Sequence, residues 1–136
     1  MAVIEELIRL EDNGSISFGN YLMDEKKKVL DFEVAGNLYK VKTYKDITKL
    51  EKNGKMLLGT VPGATIHNFD MGAKNIEFSV ESDDDVQITM ELEPEKDYKL
   101  LVDDVLVGKI SSNIGGKVNF SVELNNNCSA VKIEKL

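Results

Sequence analysis

Between Phe78 and Ile133 apolar and polar residues alternate, and that period of two confines the chain to extended structure. Phe78 and Val80 fall on one side, as do Val86, Ile88, Met90 and Leu92. Tyr98, Leu100 and Val102 follow, then Val118, Phe120, Val122 and Leu124, then Val131 and Ile133. Glu77, Gln87, Thr89, Glu91, Lys99, Asn119, Ser121, Glu123 and Lys132 stand between them. Strands with one dry and one wet face belong to an antiparallel sheet packed on a second sheet. Turn residues break the pattern at 82–85, 94–97, 103–104, 113–116 and 125–127, a spacing of about ten residues that suits a small sandwich. Residues 64–136 are therefore expected to form an immunoglobulin-like antiparallel β-sandwich.

The preceding residues carry the same period less regularly. Asn13-Gly14 and Asn53-Gly54 are strong hairpin signals, because type I′ turns need positive φ at both central residues. Gly36-Asn37 is a third turn candidate. Between these turns lie candidate strands at 16–22, 29–34, 38–44 and 56–61. Leu30, Phe32 and Val34 would share one face, and Tyr39, Val41 and Thr43 another. The opening segment fits either a helical stripe of Ile4, Leu7 and Ile8 or a strand with Glu6 in its row, and the Asn-Gly that follows favours the strand. Residues 1–61 thus read as a β-meander, with Pro62-Gly63 as the joint. A lone meander of that size is marginal in water. It is expected to be covered by the second part or by another copy of the chain, which makes it the oligomerisation region of a homo-oligomer.

Charge divides the chain at the same place. Residues 1–60 hold ten Lys/Arg and ten Asp/Glu, whereas residues 61–136 hold seven and fourteen and so carry the whole net charge of −7. Nucleic-acid binding needs a basic stripe. The one basic run, Lys26-Lys27-Lys28, follows Asp24-Glu25 and reads as a solvated turn, so no nucleic-acid partner is expected. The N-terminus has neither the basic nor the apolar region of a secretory signal. No segment approaches the ~20 apolar residues of a membrane-spanning helix. Cys128 has no second cysteine to pair with. These features lead to the expectation of a cytoplasmic protein without a membrane partner.

Few residues offer chemistry. His67 is the only histidine, and a zinc site built on it and Cys128 would have to lean on carboxylates. Asp83, Asp84 and Asp85 are weak calcium candidates, since the glycine and glutamate of an EF-hand loop are missing and consecutive turn aspartates point apart. Gly115-Gly116 precedes a strand, so neither a P-loop nor a dinucleotide fingerprint is present. Phe18, Tyr21 and Tyr44 are the candidates for an exposed aromatic contact with a protein or ligand. No cofactor is expected.

The stretch YKLLVDDVLVGKISSNIGGKVNFSVEL, residues 98–124, resembles the closing strands of immunoglobulin-like C-terminal modules of bacterial polysaccharide enzymes, with Asp104 where those modules often have glycine. The whole chain, including NGSISFGNYL and KLEKNGK, is similar to small uncharacterised clostridial proteins, some of them described as endosialidases. Sialidases hold a substrate carboxylate with several arginines, a bidentate task that lysine does not replace, and Arg9 is the only arginine here. The expectation is a non-enzymatic interaction or structural protein that associates with itself. The alternatives are a carbohydrate-binding accessory module and, third, a carboxylate-dependent enzyme acting on glycans.

Overall fold

The computed structural model describes residues 3–72, 74–124 and 127–136. Within them the chain forms strands β1 Ile8–Leu10, β2 Ile16–Phe18, β3 Lys27–Val34, β4 Asn37–Tyr44, β5 Ile47–Lys52, β6 Lys55–Val61, β7 Thr65–Met71, β8 Asn75–Glu81, β9 Val86–Glu91, β10 Asp97–Val102, β11 Val105–Ser111, β12 Lys117–Val122 and β13 Cys128–Lys135. Seven of them make one sheet in the order β1-β2-β7-β8-β13-β10-β11, and six make a second in the order β12-β9-β6-β5-β4-β3. Every neighbouring pair is antiparallel. The all-β class follows directly from the alternation: in β12 Val118, Phe120 and Val122 are buried while Lys117, Asn119 and Ser121 are exposed.

One core joins the two sheets. Val41, Leu50, Leu58, Ile88 and Met90 from the six-stranded sheet belong to the same buried cluster as Phe18, Ile66, Phe69, Phe78, Val80 and Ile133 from the seven-stranded sheet. Within it Phe69 is edge-on to Phe18 with ring centroids 6.1 Å apart and tilted against Phe78 at 5.8 Å.

The joint expected at Pro62-Gly63 does not divide this packing. β6 pairs with β9 and β2 with β7, so each sheet draws strands from both sides of it. Strands β3 to β6 do form the expected meander of successive hairpins. That meander leaves one edge and its apolar face uncovered, and the second part supplies what it lacks. Residues 64–136 alone contribute five strands to one sheet and only two to the other, which corrects the expectation of a self-sufficient sandwich there.

Local departures have local causes. The candidate strand at 16–22 ends at Phe18, because Gly19 takes φ +102° and sits so close to Ala64 that a Cβ would stand 2.4 Å from its carbonyl oxygen. Leu30 does not share a face with Phe32 and Val34. A bulge between Val29 and Phe32, with Asp31 at φ +55°, turns Leu30 outward. Asn53-Gly54 is a two-residue turn with positive φ at both residues, and so is Asp103-Asp104. The turn expected at Gly36-Asn37 lies one residue earlier, at Ala35-Gly36, and Asn37 pairs with Val34. Asn13-Gly14 does sit between two strands, but only Gly14 has positive φ, and the loop is closed by Glu11 and Ser15. Of the turn expected at 125–127, residues 125 and 126 lie outside the described residues.

Candidate functional site

The outer face of the seven-stranded sheet carries a buried polar chain. Ile66 pairs with Val80, and both enter the core. Strand alternation then directs His67, Ser79 and Glu81 outward. His67 and Glu81 are nevertheless only 8 % and 7 % exposed. Tyr21, in the loop that follows Gly19, reaches the Glu81 carboxylate. Its hydroxyl donates to Glu81 Oε2 at 2.8 Å, while His67 Nε2 lies 3.0 Å from Oε1. In the neutral ring this contact fixes the proton on Nε2 and leaves Nδ1 as an acceptor. Burial first, then the bond to Glu81, push ionisation of the Tyr21 hydroxyl well above the ordinary tyrosine range. Nearby, the Ser17 hydroxyl donates to Glu11 Oε2 at 2.6 Å and is the leading cause that holds the Glu11 carboxyl below its usual range.

A cavity of about 290 Å³ opens over this face, lined by Asn13, His67, Asn68, Asp70, Glu77, Ser79, Asp104 and Lys132 among others. Ser15 Oγ stands 2.5 Å from Asn13 Oδ1 and 3.2 Å from Asn68 Oδ1. Both amide oxygens are thus turned towards the serine. The lining mixes donors with acceptors. Among the described residues no three His, Cys, Asp or Glu side chains converge in a way that could hold a metal ion.

The expected contact residues separate. Phe18 is fully buried in the core and is no surface residue. It stands in the inward row of a strand packed over the second sheet, and its aromatic partner is Phe69. Tyr21 is half-buried and belongs to the chain through Glu81. Tyr44 is half-buried near the end of β4, opposite Ile47 and on the outer face of the other sheet. Asp83, Asp84 and Asp85 are exposed in the turn after β8. Asp84 Oδ1 accepts from the Asp85 N–H at 2.8 Å and Asp85 Oδ1 from the Leu124 N–H at 3.1 Å, so these two carboxylates brace the turn.

Two surfaces were not visible in the sequence as such. Val105, Leu106 and Val107 of β11 are 65, 61 and 60 % exposed, in three consecutive positions on the strand at the edge of the seven-stranded sheet. A bulge at this point in the β10–β11 ladder breaks the alternation. On the outer face of the six-stranded sheet, Lys28 pairs with Lys42 and Lys42 with Lys49. Three lysines therefore stand side by side on neighbouring strands, a basic stripe assembled from separate segments of the sequence.

No protein-family model, curated protein or solved structure matches the chain.

Proposed function

We propose that the protein is a non-enzymatic interaction module that associates with itself through the β11 edge. The observation that carries this reading is the run Val105-Leu106-Val107, apolar, consecutive and exposed on a strand hydrogen-bonded on one side only. Edge strands of monomers are ordinarily blunted with charge. An edge of the six-stranded sheet follows that rule, since β3 carries Lys27, Lys28, Asp31 and Glu33. β11 has a single charged residue, Lys109, and its ammonium is already drawn to Asp97 at 3.3 Å. A twofold contact would bury the apolar run of both copies at once. Three side chains a side make a small interface, so association is weak and concentration-dependent. Light scattering over a range of protein concentrations should show mass rising above the monomer, and Leu106→Lys should abolish the rise. A monomeric mass throughout would sink this reading.

The groove over His67 favours a second reading, a carbohydrate-binding module. Sugar hydroxyls both donate and accept, and the lining mixes amide, imidazole, carboxylate and ammonium side chains from Asn13, Asn68, His67, Asp70, Glu77 and Lys132. Absence of binding on a glycan array at high protein concentration would remove it.

A further inference from the structure

We propose that the outer face of the six-stranded sheet docks on a lipid bilayer bearing anionic headgroups, with Lys28, Lys42 and Lys49 at the centre of the contact. This surface is distinct from the β11 edge and does not depend on self-association. Adjacent strands lie about 4.8 Å apart, so directly paired side chains of like charge repel. Among the described residues no carboxylate lies within ion-pair distance of these three lysines. Partial burial first, then the charges of Lys26, Lys28, Lys49 and Lys40, press the Lys42 ammonium below the ordinary lysine range. Of this group only Lys40 has a carboxylate partner, Glu51 at 3.5 Å. The stripe therefore carries an unbalanced positive charge in a chain whose net charge is −7. An anionic surface relieves the repulsion, and the acidic remainder of the molecule would orient this face towards it.

The same face presents apolar side chains beside the charges. Leu30 and Leu38 are 59 % and 45 % exposed and line, with Lys40 and Glu51, a shallow depression of about 330 Å³. Tyr44 pairs with Ile47 on the other side of the lysine row. Exposed leucines serve no purpose against a sugar-phosphate chain, but they can enter the boundary between headgroups and acyl chains. The face has no arginine, the residue suited to bidentate phosphate recognition in a nucleic acid. A sheet face is also broad and shallow, as a planar partner requires.

Co-sedimentation tests the proposal with vesicles of phosphatidylcholine alone and of phosphatidylcholine mixed with phosphatidylglycerol, at low and high salt. The full chain should sediment only with the mixed vesicles and should be released by salt. Each of Lys42→Gln and Lys49→Gln should weaken binding about fivefold, following the contribution of one lysine near an anionic surface. Leu30→Ser should weaken it without changing the salt dependence, and Lys42→Arg should retain it. Circular dichroism establishes that each variant is folded. Equal binding to neutral vesicles, no binding to the mixed vesicles at low salt, or unaltered binding by the doubly substituted Lys42→Gln, Lys49→Gln chain would overturn the proposal. So would binding of a single-stranded oligonucleotide by a chain that ignores both kinds of vesicle.

Discussion

Tyr21 shows how one side chain ties a loop to a sheet. Its hydroxyl holds one oxygen of Glu81 while His67 holds the other, and the three close the outer face over a carboxylate that would otherwise be buried alone. Tyr21→Phe removes the hydrogen bond to Glu81 Oε2 and should cost about 1–2 kcal/mol at neutral pH. The sign of the pH dependence follows from the raised ionisation of this hydroxyl. The unfolded chain releases the proton near the ordinary tyrosine value of about 10, and the folded chain only above it. Stability from this source is complete below about pH 10 and falls as pH rises through the interval between the two values. Tyr39 and Tyr44 shift in the same direction, so Tyr21→Phe should flatten the alkaline decline in urea midpoint without removing it. An unchanged slope would show that the phenol is not held as described. The sequence singled out Tyr21 and His67 as separate residues. Their meeting depends on Gly19 turning the chain, and on Glu81 ending β8 beside the Asp83–Asp85 turn.

At the scale of the strand, the alternation was legible wherever its inward row is wholly apolar, as in β9, β10 and β12. It was hidden where that row is polar. β5, Ile47–Lys52, turns Thr48 and Leu50 inward, and Thr48 is buried because its hydroxyl bonds Thr43 and the Ala64 carbonyl. The mixed row gives no clear sequence signal. The lysine row was hidden for a different reason: it depends on the register of three strands, which no single segment records. Its cost can be measured in the isolated protein. Lys42→Gln should raise the urea midpoint at low salt by the equivalent of a few tenths of a kcal/mol, since such solvated pairs are screened. The gain should vanish at high salt. A loss of stability at low salt would mean that the Lys42 stem contributes more by packing than its charge costs.

For the whole molecule, composition and period together were enough for the all-β class and the two-sheet architecture. The partition into two parts was misplaced because charge asymmetry follows the surface, whereas the core follows strand pairing. The pairing β2–β7 spans the proposed joint and so does β6–β9, and neither can be read from local patterns. Phe18 illustrates the consequence. Within residues 1–61 alone it looked like a spare aromatic, but Phe69, from beyond the joint, packs edge-on against it.

The position of β13 governs the order in which the molecule can be made. That strand lies between β8 and β10 in the interior of the seven-stranded sheet. A ribosome must therefore deliver residues up to 135 before β10 gains its second neighbour. Until then the hairpin of β10 and β11 is attached to the sheet by no backbone ladder, with Val105, Leu106 and Val107 in solvent and Leu100 lacking its partner Ile133. Pairings this remote in sequence close slowly, and the nascent chain spends that interval with Tyr98 and Leu100, buried in the finished fold, open to its neighbours.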